Sequence, residues 1–217
     1  MPSYMILILV FITIAFIAGV VFLVVARKDH LSGKSGEDQV SRYLNSIKKE
    51  DEFVINNFLA SRGKNKQNSI QIDHIFISHK GVIVIETKDY RGRIYGDKDQ
   101  VKWTQVMNYG SVKNSFYNPI KQNETHCNYI NKLIGQKYLV FNRVLFLKAD
   151  VTYVDDKSGI VSSIYGFELW YKNLGDDIDM DYKSIKKIYD VLTKEMETNP
   201  ITKEEHINNI KRKHGNE

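Results

Sequence analysis

Residues 70–88 read IQIDHIFISHKGVIVIETK, two apolar runs separated by a short polar stretch. Both runs, Ile70–Ser78 and Val82–Lys88, are rich in β-branched residues, which favour extended strands. The intervening sequence, His79–Gly81, predicts a tight turn. The stretch therefore predicts an antiparallel hairpin near the middle of a sheet.

Each strand of this hairpin carries a carboxylate, Asp73 in the first and Glu86 in the second. If His79–Lys80 forms a two-residue loop, these carboxylates are paired directly across the ladder, with Cβ atoms about 5 Å apart. A three-residue loop would separate them, unless a bulge at Gly81 corrects the register. Strand alternation also places Lys88 on the same face as Glu86.

Two opposed carboxylates repel each other, and the repulsion costs stability unless a cation is present. Oxygen ligands of this kind suit Mg²⁺ or Mn²⁺. Lys88 would then be placed to hold a phosphate or to position an attacking water. The alternative is that Asp73 and Glu86 only pair with Lys88 on an exposed face of the sheet, and these residues alone leave both interpretations open.

The flanking sequence carries further helix and strand signals. A helix capped by Ser35 is predicted to run to about Ile47, and Asn118–Pro119 begins a second helix that ends near Gly135. A third, amphipathic helix is predicted over Tyr182–Met196. Additional strands are predicted over residues 53–59, 93–95, 101–105 and 140–146. The order predicts an α/β fold in which helices flank a central mixed sheet.

The composition excludes several classes of protein. The chain has 217 residues, and 31 Lys and Arg against 26 Asp and Glu give a net charge of +5. The single cysteine, Cys127, excludes a disulfide-stapled scaffold. The mild positive charge suits nucleic acid or an anionic lipid surface and does not choose between them.

The N-terminus predicts a membrane anchor. Met5–Val25 contains no charged residue, and a helix of that length spans about 30 Å, the thickness of the bilayer core. Arg27, Lys28 and Lys34 follow it, so the positive-inside rule places the N-terminus outside and the remaining chain in the cytoplasm. Val24-x-Ala26 resembles a signal-peptide cleavage site, which leaves processing open.

Three other side chains receive structural interpretations. His74 alternates to the opposite face of its strand from Asp73. His126 lies on a helical stripe with Gln122 and is interpreted as a packing residue. Cys127 is interpreted as a small core side chain.

Five features in order and spacing resemble one family. They are Gly36-Glu37 opening a helix, Ile72-Asp73-His74, Gly81 before an apolar strand ending in Glu86-Thr87-Lys88, Gly92, and Asn118-Pro119-x-x-Gln122. Over about residues 33–150 this pattern resembles the nuclease-related domain (NERD) family of the PD-(D/E)xK nuclease superfamily. The resemblance implies a restriction-endonuclease-like αβββαβ core, here behind one N-terminal transmembrane helix.

The resemblance also implies a site and a cofactor. The implied catalytic residues are Asp73, Glu86, Lys88, Glu37 and Gln122. Asp73, Glu86 and the carbonyl of Thr87 would be the ligands of Mg²⁺ or Mn²⁺. The implied substrate is nucleic acid, with DNA expected before RNA.

Five segments are expected: an anchor (5–25), a linker (26–34), the nuclease-related domain (35–155), a helical extension packing on it (156–198) and a basic polar tail (199–217). The expected protein is a single-pass cell-membrane protein whose cytoplasmic domain hydrolyses DNA phosphodiester bonds with a metal ion. Two alternatives stay open. One is a non-catalytic scaffold that keeps the fold and binds nucleic acid or protein, and the other is a lipid-surface protein that uses the basic tail.

Overall fold

The computed structural model describes residues 12–20, 35–62, 68–175, 179–198 and 200–214. Within these residues the centre of the fold is a mixed, seven-stranded sheet. Its strands are β1 (Phe53–Arg62), β2 (Asn68–Ser78), β3 (Gly81–Asp97), β4 (Lys102–Met107), β5 (Val112–Tyr117), β6 (Val140–Asp155) and β7 (Val161–Ser162). Strands β1 to β5 are neighbours in chain order, and each pair is antiparallel. Strand β6 lies parallel to β3 and also pairs with β7.

Helices cover both faces of the sheet. They are α1 (residues 35–47), α2 (Pro119–Leu133), α3 (Ile164–Asn173), α4 (Tyr182–Thr198) and α5 (Lys203–His214). Helices α1 and α3 pack on one face, where Leu44 and Phe167 contribute to a buried cluster with Phe76. Helices α2 and α4 pack on the other face, where Ile130 and Ile188 join a second cluster. The predicted α/β architecture with a mixed central sheet flanked by helices is confirmed.

The β2–β3 hairpin has the register expected for a two-residue loop. Ser78 pairs with Gly81, and the same register continues to the pair His74–Ile85. Gly81 has a φ of +125°, a conformation that glycine adopts without strain. Asp73 and Glu86 are the next positions in this register, at the point where the two strands stop pairing.

Strand β3 is much longer than predicted. The prediction ended it at Lys88 and placed a separate strand at residues 93–95, whereas one strand runs from Gly81 to Asp97. Its pairing with β6 shifts between Lys88 and Arg91, so an irregularity interrupts the ladder without ending the strand. The continuation of the strand after Lys88 was not predicted, because only one face of this part of β3 is buried and its sequence is therefore largely polar.

Four further elements were not predicted: β5, β7, α3 and α5. Strand β5 is mostly exposed and helix α3 is short, so neither produces a strong periodic signal. Within the basic segment from residue 199, helix α5 lies against β2: Nδ1 of His206 is 2.7 Å from Oγ of Ser69, to which Asn209 also donates. That segment looked solvated because its burial depends on a contact with a distant strand.

At the N-terminus, residues 12–20 are helical and exposed. Across the part of the chain that the structure describes, no helix combines the length and apolar character needed to cross a membrane. Most of the predicted anchor over residues 5–25 and all of the predicted linker over residues 26–34 lie outside the described residues.

Candidate active site

The candidate site lies where β2 and β3 separate. The backbone N–H of Thr87 donates a hydrogen bond of 2.8 Å to Oδ2 of Asp73. The backbone pairing of β2 and β3 ends at His74 and Ile85, and this side-chain bond lies just beyond it. The bond fixes the Asp73 carboxylate beside β3. The predicted proximity of Asp73 to Glu86 follows from this register.

Glu86 and Lys88 form a buried ion pair on β3. Nζ of Lys88 is 2.6 Å from Oε1 of Glu86, and only 3% of Glu86 is exposed. Nζ of Lys88 also donates to Oε1 of Gln122 at 3.3 Å. The structure therefore brings together three of the predicted residues on the sheet face that α2 covers.

Electrostatic effects are strong at this end of the ladder. Burial raises the pKa of Asp73 well above its usual range, and repulsion from Glu86 and Glu37 adds to the rise. The Thr87 N–H and the Lys88 ammonium oppose this rise without cancelling it. Burial lowers the pKa of Lys88, but attraction to Glu86 and Asp73 outweighs burial, so the pKa is raised and the side chain is held as a cation.

Helix α1, which carries Glu37, starts very close to the sheet. A Cβ at Gly36 would lie 2.8 Å from Cβ of Asp89 and 2.9 Å from Cδ1 of Leu147, so only glycine fits this approach. Asp89 is itself held by Lys148, whose Nζ lies 2.7 Å from Oδ1. The negative charge of Glu37 adds to the rise in the pKa of Asp73.

Helix α2 is positioned by two buried asparagines. Oδ1 of Asn118 accepts hydrogen bonds from the N–H groups of Ile120 and Lys121, which caps the helix as predicted. Nδ2 of Asn123 donates to the carbonyl of Val84 at 2.9 Å and to the carbonyl of Arg143 at 3.1 Å. These bonds fix the rotation of α2 and hence the place of its neighbouring residue, Gln122.

His126 was assigned to packing, and the structure places it beside the carboxylate. Its Nδ1 lies 3.7 Å from Oε2 of Glu86, and the side chain is buried. The sequence did contain a signal, since His126 follows Gln122 by four residues, one helical turn. The sequence does not predict the rotation of α2 about its axis, and it is this rotation that places His126 next to Glu86.

The donor set fits a hard divalent cation. Oε2 of Glu86 is buried and has no hydrogen-bond partner among the described residues. Glu86 repels negative charge on Asp73. The two carboxylates therefore gain from a shared cation, and oxygen donors suit Mg²⁺ or Mn²⁺. In the described part of the chain no three His, Cys, Asp or Glu side chains are clustered as metal ligands.

Two other side chains lie outside this chemistry. Nδ1 of His74 is 2.7 Å from Oδ1 of Asn56, and burial lowers the pKa of His74 to about 4, so the ring is neutral. Burial raises the pKa of the Cys127 thiol to about 12, which leaves it a poor nucleophile.

Comparisons with known proteins agree with this geometry. The family model described as nuclease-related domain (NERD) matches residues 32–147, just over half of the chain. The chain therefore belongs to the nuclease-related domain family, and the predicted resemblance is confirmed.

One curated relative is an uncharacterized protein of Bacillus anthracis, 39% identical over 105 residues. The aligned segment makes up 48% of this chain and 48% of the relative, so the chain spans about half the length of that relative. No solved structure matches the chain significantly.

Proposed function

We propose that this chain is a metal-dependent nuclease that hydrolyses DNA phosphodiester bonds. The observation that carries the proposal is the buried arrangement of Asp73, Glu86 and Lys88 at the end of the β2–β3 ladder. Membership of the nuclease-related domain family supports the same conclusion. A stabilising role alone does not require two buried carboxylates that repel each other.

Asp73, Glu86 and the carbonyl of Thr87 are the groups that would hold Mg²⁺ or Mn²⁺. When bound, such an ion supplies charge stabilisation to a phosphate and lowers the pKa of water. Asp73 is held in place for this role by the Thr87 N–H, at 2.8 Å. Because burial favours the protonated form of Asp73, a cation would have to displace that proton.

Lys88 provides a fixed positive charge beside the carboxylates. Its pairing with Glu86 keeps the ammonium charged and limits its conformations, and the bond to Gln122 adds a second restraint. A preorganised cation of this kind stabilises negative charge that develops on a phosphate during cleavage. Glu37 lies close enough to affect Asp73 and would add to the negative potential that attracts cations.

The cellular arrangement is also part of the proposal. The uncharged stretch over residues 5–25 would anchor the protein in the cell membrane with its N-terminus outside, and residues 26–34 would link it to a cytoplasmic domain over residues 35–155. Residues 156–198 would pack on that domain, and residues 199–217 would follow it. Protease treatment of intact and opened cells tests the topology, since the domain should be cut only after opening.

The test of activity uses the full chain. The protein is incubated with supercoiled, linear and single-stranded DNA and with RNA, in Mg²⁺, Mn²⁺ or EDTA. Asp73→Ala and Glu86→Ala should each abolish cleavage, whereas Asp190→Ala and Glu197→Ala, exposed carboxylates on α4, should leave it unchanged. Full metal-dependent cleavage by Asp73→Ala would refute the proposal.

A second function follows from the ion pair itself. Because Nζ of Lys88 already lies 2.6 Å from Glu86, the site satisfies much of its charge without a metal, as a non-catalytic scaffold for nucleic acid or protein would require. Calorimetry separates the two functions. Binding of Mg²⁺ or Mn²⁺ that disappears in Glu86→Ala supports the nuclease, and no metal binding supports the scaffold.

A further inference from the structure

The second half of β3 forms an open surface with β4 and β5. Arg93 pairs with Val106 and Tyr95 pairs with Thr104, so these four side chains lie on one face of the sheet. Lys113 joins this face because it pairs with Val106.

The other face of the same strands is closed. Ile94 and Trp103 are fully buried there, and they pack with Ile120 of α2. Lys88 also contacts α2, so the open surface and the candidate active site lie on opposite faces of β3.

A cleft of about 440 Å³ lies on the open face. Six of its lining residues define the aromatic–basic cleft: Arg93, Tyr95, Thr104, Val106, Tyr109 and Lys113. This lining contains two cations, two aromatic rings and no carboxylate. The volume is in the range of pockets that hold small organic groups, and the charge favours an anion.

The aromatic rings are arranged for stacking. Tyr95 stacks on Tyr153 with ring centroids 4.8 Å apart, and the Arg93 guanidinium lies 5.7 Å from the centroid of Tyr153. Asp150, the register partner of Arg93, accepts a hydrogen bond of 2.7 Å from the Thr152 hydroxyl. This bond and, to a smaller degree, the charge of Arg93 lower the pKa of Asp150. Tyr153 therefore covers one face of the Tyr95 ring, and Tyr95 lines the cleft next to Arg93.

Tyr109 stands at the rim of the cleft and is fully exposed. It lies in a tight turn, Asn108–Gly110, in which all three residues have positive φ. Positive φ is unfavourable for a bulky residue, and here the turn directs a tyrosine ring into solvent rather than into the core. An exposed ring of this kind has a face available for a planar ligand.

We propose that the aromatic–basic cleft binds single-stranded nucleic acid outside the site of cleavage. Bases would stack on Tyr95 and Tyr109, and Arg93 and Lys113 would contact the phosphates. Single strands are the fitting partner because their bases are free to stack, whereas a duplex exposes mainly its backbone and groove edges. The choice of nucleic acid rests on the proposed function, but the binding does not depend on catalysis.

The test measures binding without cleavage. The full chain carrying Asp73→Ala is titrated in EDTA against oligo(dT) of about 12 nucleotides and against an abasic strand of equal length, by fluorescence anisotropy. The abasic strand keeps the phosphates and lacks the bases. Oligo(dT) should bind more tightly than the abasic strand. Tyr109→Ala should lower the affinity for oligo(dT) about tenfold and leave the affinity for the abasic strand unchanged.

Charge variants address the phosphate contacts. Lys113→Ala should weaken the binding of both strands. It should also reduce the slope of log K against log salt concentration by about 0.7, the contribution of one phosphate contact. The matched controls are Tyr182→Ala and Lys194→Ala, exposed residues on α4, which packs against β1 and β2. Both controls should leave the affinity unchanged. Because Tyr109 is fully exposed, its variant also avoids the loss of packing that Tyr95→Ala would cause.

Three results would overturn the proposal: no binding of oligo(dT), equal affinity for the two strands, or unchanged affinity in Tyr109→Ala. A duplex of equal length is titrated in the same way, and an equal loss of duplex and single-strand affinity in Tyr109→Ala would also overturn the proposal. Failure of the proposed function shows separately, as no metal-dependent cleavage by the chain with Asp73 intact. Binding without cleavage would therefore support the cleft and refute the nuclease.

Discussion

The backbone N–H of Thr87 donates a hydrogen bond of 2.8 Å to Oδ2 of Asp73 on the neighbouring strand. A main-chain group, rather than a side chain, thus holds the carboxylate that the proposed metal would need. The hydroxyl of Thr87, in contrast to its N–H, is not used: Oγ1 is buried and has no hydrogen-bond partner among the described residues.

This difference predicts that Thr87→Val is tolerated. The substitution keeps the N–H and removes an unsatisfied buried hydroxyl, so the free energy of unfolding should rise by roughly 1 kcal/mol. Cleavage should be retained. Denaturant unfolding and the DNA cleavage assay check both statements, and a loss of activity would show that the hydroxyl takes part in the site.

Lys88→Met should impair both stability and activity. It leaves the buried Glu86 carboxylate without its cation, which should cost about 3 kcal/mol of unfolding free energy in EDTA. Loss of the charge should lower the cleavage rate by about 10²- to 10³-fold. Lys194→Met, an exposed position, should change neither quantity. Adding Glu86→Gln to Lys88→Met should restore most of the stability and none of the activity.

Asn123→Ala should loosen α2 from the sheet. Its Nδ2 donates to the carbonyls of Val84 and Arg143 and to Oδ1 of Asn142, all within 3.1 Å. Leaving these acceptors unsatisfied should lower the free energy of unfolding by roughly 2 kcal/mol. Thr125→Ala, on the exposed side of the same helix, is the control and should change it little. Equal effects of the two variants would contradict this role of Asn123.

Gly92→Ala should destabilise the protein more than Gly135→Ala. Both glycines have positive φ, +78° and +82°, so alanine is strained at either position by roughly 1–2 kcal/mol. A Cβ at Gly92 would also overlap the Val106 carbonyl oxygen, whereas a Cβ at Gly135 would meet nothing within 4 Å. Thermal melting of the two variants measures the difference, and equal losses would contradict the close approach of β3 and β4.

His79 predicts a pH dependence of stability. Its Nε2 is 2.8 Å from Oδ2 of Asp51 and its Nδ1 is 2.8 Å from the carbonyl of Met180, so both nitrogens face acceptors. Burial lowers the pKa of His79, but these two bonds, together with the negative charges of Asp51 and Glu52, outweigh burial and the pKa is raised. Protonated His79 therefore stabilises the folded state. This stabilisation is complete below the pKa of histidine in the unfolded chain, about 6.5, and is lost as the pH rises through the higher pKa of His79 in the folded chain.

The melting temperature should therefore fall as pH increases above about 6.5. His79→Gln should flatten this part of the profile, and Asp51→Asn should flatten it in part. A wild-type profile that matches His79→Gln throughout this range would contradict the assignment.

The hairpin was predictable because everything that determines it is local. Runs of β-branched residues define both strands. The sequence left a two-residue and a three-residue loop open, and the structure has the two-residue loop, in which Ser78 pairs with Gly81. The same register brings Asp73 next to Glu86. The cap at Asn118 was equally visible, since a side chain satisfies N–H groups only two and three residues away.

Contacts between distant segments could not be predicted in this way. The place of His126 beside Glu86 depends on the rotation of α2, which Asn123 fixes through acceptors on β3 and β6. The burial of His206 on β2 depends on Ser69, far away in the chain. The face of β3 that carries Tyr95 looked like a break in the strand because its polar side chains face solvent.

The parts of the candidate site also form at different times during synthesis of the chain. The hairpin that joins Asp73 to Glu86 is complete once residue 88 has left the ribosome, and hairpins form in about 1–10 μs. Gln122 and His126 belong to a helix that is synthesised later and docks through a long-range contact. In a nascent chain the two carboxylates therefore meet while still open to solvent, and Lys88, the partner of Glu86, is enclosed only when residues 119–133 arrive.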